Sequence, residues 1–273
     1  MPIITISRGS MSGGQALAEC VATSLSVPCV GREIVVEAAA KIGVSQDLLR
    51  AKLETSPGLW DRLTLERRTY VTAVQAALAE AAAQGSVVYH GHAGHLLLRG
   101  LPAVLRVRLI APLPMRRQAV VERQALSADA AEEYIQHVDE DRVRWTKFVY
   151  GADLRDPQLY DLVISLEAMS LQSACRVVVE AARQPEYEIT PEVRKRLADF
   201  VLACRVRLAL ASDPASRSLD LDIQATDGAV VIAGVQPQST MLARTGARVE
   251  GEVRAVAEAV PGVRSLEIRS PLL

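Results

Sequence analysis

The sequence predicts an α/β protein: a parallel sheet flanked by helices, followed by a second, smaller α+β unit. Three observations point there. Short β-branched runs alternate with amphipathic helical stretches as far as about residue 183, the pattern of parallel strands joined by helical crossovers. The first of these runs stops at a glycine-containing turn from which a helix starts. Beyond two proline-bearing breaks, Gln184-Pro185 and Thr190-Pro191, the order changes to helix, strand, strand, helix, strand.

Residues 3–6 are apolar or β-branched and read as a buried strand. Leu17, Ala18, Val21, Ala22 and Leu25 then recur on one face of a helix over 13–26. Val27-Pro28-Cys29-Val30 is a short apolar step into a turn at Gly31, followed by a helix over 33–42. Ser45 caps a short helix over 46–53, which Thr55-Ser56-Pro57-Gly58 ends. A long helix covers 60–84 and stops before Gly85. Strands follow at 86–90 and 104–110, then a helix at 115–125 behind Pro112 and Pro114. Ser127 caps a helix that runs on through 131–147; a strand at 161–165 and a helix at 170–183 complete this part. The remainder reads as a helix over 191–211, a hairpin of 219–223 and 229–235 turning at Asp227-Gly228, a helix over 241–259 and a strand over 264–269. The boundaries that result are 1–183, a linker at 184–196, and 197–273.

Ligands of a parallel sheet bind beyond the C-terminal ends of its strands. The loops at 7–14, 90–95 and 111–114 lie there. Composition excludes several other uses. The 31 basic and 32 acidic residues nearly cancel, so bulk attraction to nucleic acid or an acidic membrane is not expected. Aromatics are 4% of the chain, too few for a base-stacking platform. No apolar run approaches the roughly 18 residues of a membrane span, and no basic-then-apolar leader opens the chain. Cys20, Cys29, Cys175 and Cys204 form no C-x-x-C. Cys20 and Cys175 lie in helical patterns and read as free thiols packed as small hydrophobes, which fits a reducing cytoplasm.

The stretch Ile4-Thr5-Ile6-Ser7-Arg8-Gly9-Ser10-Met11-Ser12-Gly13-Gly14-Gln15 carries the chemistry. A strand feeding a glycine turn that opens a helix points backbone N–H groups and the positive end of the helix dipole at one spot, where an anion binds. Set against G-x-x-x-x-G-K-[ST], Gly13 takes the second glycine, Gly14 the lysine and Gln15 the hydroxyl position. A tight turn with no ligand is the plainer alternative. His90, His92 and His95 form H-x-H-x-x-H without an accompanying carboxylate or cysteine; phosphate contacts from His92 or turn hydrogen bonds suit them better than zinc. Arg116, Arg117 and Arg123 read as a solvated helix face before they read as phosphate contacts. Trp60 and Trp145 read as packing anchors, and Asp161 as structural.

The strand ending in Ser7-Arg8, the Ser12-Gly13-Gly14 turn, Gly31-Arg32-Glu33-Ile34, Gly91 with Gly94, Asp139 to Arg142, and Tyr160-Asp161-Leu162-Val163-Ile164 together resemble the cytidylate-kinase-like family of P-loop phosphotransferases over roughly 1–183. The resemblance implies a three-layer P-loop kinase-like fold that moves the γ-phosphoryl of ATP, with Mg²⁺, onto CMP or another nucleoside monophosphate. It implies donor-phosphate contacts from Arg8, Ser12, Gly13, Gly14 and Gln15, and acceptor contacts from Arg32, Gly91, His92 and Asp139. Arg142 and Arg144 would stabilise the transferring group from a lid. This sequence departs from the family at Met11, where a glycine is usual, at Gln15 for a basic residue, at Gly31 for an aspartate and at His92 for an arginine. A nucleotide-binding sensor with weak or no turnover therefore stands beside the kinase reading. Residues 197–270, with Asp227-Gly228-Ala229-Val230-Val231-Ile232-Ala233-Gly234 and Ala257 to Val263, resemble a BON domain, which implies an interaction module for a small ligand, a lipid or a protein.

Overall fold

A computed structural model describes residues 2–31, 64–235 and 246–269. The described residues form two compact units, one of 2–31 and 84–189, the other of 64–83, 190–235 and 246–269.

The first unit is built on five strands: β1 (Ile3–Arg8), β2 (Cys29–Gly31), β3 (Val87–His90), β4 (Val104–Ile110) and β5 (Leu162–Ser165). All are parallel, in the order β2-β3-β1-β4-β5. The apolar step after the first helix is thus a strand in its own right. Three residues suffice because Cys29, Val30 and Gly31 need only extend the edge beside β3.

Helix α1 (Gly14–Leu25) and helix α6 (Leu171–Ala182) cover one face, where Ile4, Ile6, Val88, Leu105, Val107 and Leu109 meet Leu17, Val21, Cys175 and Val178. Between β3 and β4 lies the short α3 (Gly94–Leu97); between β4 and β5 lie α4 (Leu113–Gln124) and α5 (Ala128–Tyr150). Ser127 caps α5 by accepting from the Ala130 N–H, and Ser170 caps α6 by accepting from the Ser173 N–H. Helix α4 begins two residues earlier than its prolines suggest, because proline is tolerated in a first helical turn.

One expectation is overturned here. Cys20 and Cys175 are not free thiols: they form a disulfide that joins α1 to α6 across 155 residues of sequence. Each lies on the apolar stripe of its helix, and packing the two stripes together brings the sulfurs into reach. The argument for a reducing compartment from unpaired thiols falls with them; Cys29 and Cys204 remain free.

The second unit takes α2 (Thr64–Ala83) from between β2 and β3 and packs it on α7 (Pro191–Ser212). Thr69 Oγ1 donates to the Ala211 carbonyl at 3.1 Å, and Arg205 forks onto Glu80. The hairpin of β6 (Asp220–Thr226) and β7 (Ala229–Val235) is antiparallel, and β8 (Ser265–Arg269) joins β7 in parallel after α8 (Gly246–Glu258). Val206, Leu210, Ile223, Val230, Ile232 and Val253 form its core. The helices expected at 33–42 and 46–53 lie outside the described residues.

Candidate functional site

Because β1 lies between β3 and β4 in the middle of the sheet, its C-terminal end is where the crossovers diverge and a ligand crevice forms. The loop after Arg8 occupies that end. Gly13 holds φ 80° and Met11 φ 54°, both left-handed, as the sharp turn into α1 requires. Met11 stands in a conformation that glycine adopts freely. Its side chain turns away from the crevice to pack against Val120, Ala131 and Ile135. The loop is therefore not filled by the residue that replaces glycine.

The loop is fastened from two helices. The Ser10 N–H donates to the Asp139 carboxylate at 2.9 Å, Arg116 Nε donates to the Ser10 carbonyl at 2.6 Å, and Arg116 closes the triangle with an ion pair to Asp139. Ser12 Oγ donates back to the Gly9 carbonyl at 2.7 Å. No side chain caps α1, so its first amides are turned to the crevice with no protein acceptor of that kind.

Arg8 runs across the start of α1. A Cβ added at Gly14 would overlap it, lying 3.0 Å from the Arg8 Cβ and closer still to its Cδ. Arg8 Nη1 reaches His90 Nδ1 at 3.4 Å.

In front of the loop lies a cavity of about 420 Å³ lined by Arg8, Arg108, Arg142, Arg144 and Arg155, with Asp139 and Glu140 the acidic groups on its wall among the described residues. Arg144 is paired with Asp141 and Glu140 and Arg155 with Asp153, so the positive character of the wall comes chiefly from Arg8, Arg108 and Arg142. Arg108 comes from the middle of β4 and donates to the Tyr160 hydroxyl at 3.2 Å; that hydroxyl donates to the Leu154 carbonyl at 2.9 Å. Arg144 is steered by Asp141 and Arg155 by Asp153.

Residues 3–168 match the description "Cytidylate kinase-like family". The chain belongs to that family. A cytidylate kinase of Pyrobaculum aerophilum is 28% identical over 185 residues, 66% of this chain and 92% of the relative. One of Methanocaldococcus jannaschii is 31% identical over 105 residues, 37% of this chain and 58% of the relative. An uncharacterized protein from Eubacterium ventriosum of known crystal structure shares the fold, with a TM-score of 0.54 at 18% identity, covering 66% of this chain and 97% of its own. The parallel sheet with flanking helices is the P-loop kinase fold.

Of the residues that the family resemblance singles out, Arg8, Asp139, Arg142 and Arg144 come together on the cavity wall, and Ser12, Gly13 and Gly14 form the turn beside it. Gln15 does not join them: it is exposed and donates to Glu19 at 2.9 Å along α1. Gly91 follows β3 in a place where a Cβ would collide with the Tyr89 ring. His92 stands apart from the cavity wall, bonded to Thr146 Oγ1 at 3.0 Å and edge-on to Trp145. Trp145 itself packs with Ala93, Leu96 and Ala152. Arg32 and Trp60 lie outside the described residues.

Two functional positions went unread in the sequence. Arg116, taken there as part of a solvated face, instead clamps the loop, with its side chain only 13% exposed. Arg108 was passed over, although an arginine alternating with apolar neighbours in a central strand is a signal: its side chain must find a buried anion or a cavity. The three histidines of H-x-H-x-x-H diverge to Arg8, to Thr146 and to the ring of Tyr160. Among the described residues, no helix is long and apolar enough to cross a membrane.

Proposed function

We propose that the first unit transfers the γ-phosphoryl group of ATP to a nucleoside monophosphate, with CMP as the first acceptor to test. The observation behind this reading is the convergence of five arginines on the cavity at the mouth of the Arg8–Gly14 loop. Phosphoryl transfer requires positioning and neutralisation of charge on the phosphate oxygens far more than covalent help from the protein. An acceptor phosphate oxygen attacks the γ-phosphorus, the β–γ bridging P–O bond breaks, and ADP leaves. Guanidinium forks match those oxygens bidentately.

The lysine of the usual loop is absent, and Arg8 supplies a cation in its stead. Glycine at position 14 is what lets the Arg8 side chain lie across the start of α1. In this reading the amides of Ser12, Gly13 and Gly14 hold the donor phosphates. Arg142 and Arg144 neutralise the transferring group, and Arg32 with His92 and Gly91 holds the acceptor. Asp139 acts on the loop through Ser10 and Arg116. Mg²⁺, if bound, would neutralise charge on the phosphate oxygens. The residues fit only an ion carried mainly by the nucleotide and water: Ser12 Oγ is turned to the Gly9 carbonyl, and Glu140 is the carboxylate left facing the cavity. A cytoplasmic setting belongs to the same reading, since ATP is drawn from there.

The second unit, in helix-strand-strand-helix-strand order, serves here as a BON-like interaction module. A coupled assay of ADP formation with ATP and a panel of monophosphates tests the kinase reading. Turnover with CMP or UMP that Arg142→Ala lowers in kcat more than in nucleotide affinity supports it. Gly14 and Gln15 at the lysine and hydroxyl positions favour one other reading, a nucleotide sensor; calorimetric binding without turnover would select it. Failure to bind any nucleotide sinks both.

A further inference from the structure

A second cavity, of about 260 Å³, lies toward the opposite end of β4. His95, Arg99, Arg106, Asp161 and Tyr187 line it, together with leucines such as Leu96. His95 is the unusual member. It is only 4% exposed, and neither ring nitrogen finds a hydrogen-bond partner among the described residues. A buried polar group without a partner is expensive to keep, and such groups call for a water, an ion or a ligand. The ring is held against that of Tyr160, with centroids 4.6 Å apart.

The surroundings say what would satisfy it. Burial, and then the charges of Arg106, Arg108 and Arg99, push the His95 pKa down to about 4. At neutral pH the imidazole therefore offers one donor and one acceptor. Arg106 gives Nε and Nη2 to Asp161, which leaves Nη1 without a partner among the described residues. Arg99 is exposed at the rim and makes no described ion pair. The lining thus carries two cations and one anion, a neutral donor–acceptor ring and apolar walls. The volume is below the roughly 300–1,000 Å³ of pockets for drug-sized ligands.

We propose that this cavity is a second ligand site, separate from the phosphoryl-transfer cavity, for a small molecule bearing an oxyanion beside a hydroxyl or amide group. The oxyanion meets Arg99 and the open Nη1 of Arg106; the neighbouring polar group pairs with His95. A guanidinium already held by a carboxylate is fixed in direction, so the site is preorganised and the ligand needs only one strong charge.

The test uses the full chain labelled with ¹⁵N in its histidine rings, of which there are four. Sodium lactate and inorganic phosphate are titrated separately, and the His95 ring signals are followed. They are assigned by their loss in His95→Gln or, should that variant not fold, by through-bond correlation. A saturable movement of the His95 signals is expected with at least one probe. Lactate alone marks a hydroxycarboxylate site and phosphate alone a phosphate site. Arg99→Ala, an exposed change that the fold tolerates, weakens the binding at least about tenfold, whereas Arg142→Ala in the first cavity leaves it unaltered. His95 signals that move with neither probe, or that move equally in Arg99→Ala, overturn the proposal and leave the cavity to water. Neither result depends on whether the protein turns ATP over.

Discussion

Replacing His95 by leucine is expected to make the protein both more stable and less sensitive to acid. In the native fold its pKa is lowered from 6.5 to about 4, by burial first and by Arg106, Arg108 and Arg99 after that. The unfolded chain takes up this proton near pH 6.5, the folded one only near pH 4. Between those values the unfolded state binds more protons, so stability falls as the pH falls. At about 1.4 kcal/mol per pH unit, the loss is about 3 kcal/mol once the pH is below 4 and about 2.5 kcal/mol at pH 4.5. Leucine has no proton to bind, so this component vanishes. It also removes two orphaned nitrogens, a gain of about 1–3 kcal/mol that is present at neutral pH as well. Urea unfolding at pH 7.5 and pH 4.5, followed by tryptophan fluorescence, measures both effects. Carboxylates titrate in wild type and variant alike and cancel in the comparison. The advantage of the variant should widen by about 2.5 kcal/mol on going to pH 4.5. If the two proteins lose stability in parallel, His95 is not held neutral by its surroundings and the reasoning is wrong. A substitution that stabilises the fold while weakening lactate or phosphate binding in calorimetry would mark a residue kept for binding rather than for packing.

Other outcomes follow from the same geometry. Gly14→Ala should displace Arg8 and weaken ATP binding by about tenfold or more in calorimetry, while the circular dichroism spectrum stays unchanged. Arg116→Ala should cost about 1–3 kcal/mol, because the Ser10 carbonyl and Asp139 both lose a charge-assisted partner; faster exchange of the Ser10 amide would show the loop loosening. Thiol titration of the unfolded, unreduced chain should find two of the four cysteines, and all four after reduction. In the folded protein Cys204 should react slowly, since burial pushes its pKa up to about 11. Arg205→Ala, which breaks an ion pair with both partners partly exposed, should change stability by less than about 1 kcal/mol.

The readable parts of the sequence were those in which each residue's neighbours along the chain already decide its environment. Ser127 caps the helix expected behind it because a cap acts over three residues; Ser170 and Thr190, not read as caps in the sequence, do the same for α6 and α7. Asp227-Gly228 turns the hairpin for the same local reason. The glycine turn after Arg8 could be seen to open a helix, and the arginines of 142–144 to share a helix. The short β2 escaped because a three-residue edge strand has too little periodicity to display.

What the sequence determined by itself was the alternation of strands and helices, the place of the glycine turn that opens α1, and the change of architecture after Thr190-Pro191. Each of these follows from local backbone preference and side-chain period. Only the tertiary structure decided that Cys20 meets Cys175, that Arg116 and Asp139 fasten a loop more than a hundred residues away, and that Arg108 and Arg155 share a wall with Arg8. It alone left His95 unpartnered beside a cavity. The physical reason is that charge neutralisation and hydrogen-bond satisfaction act through space: a guanidinium or an imidazole is defined by whichever groups the folded chain brings within a few ångströms, and the order of residues along the chain does not contain that distance.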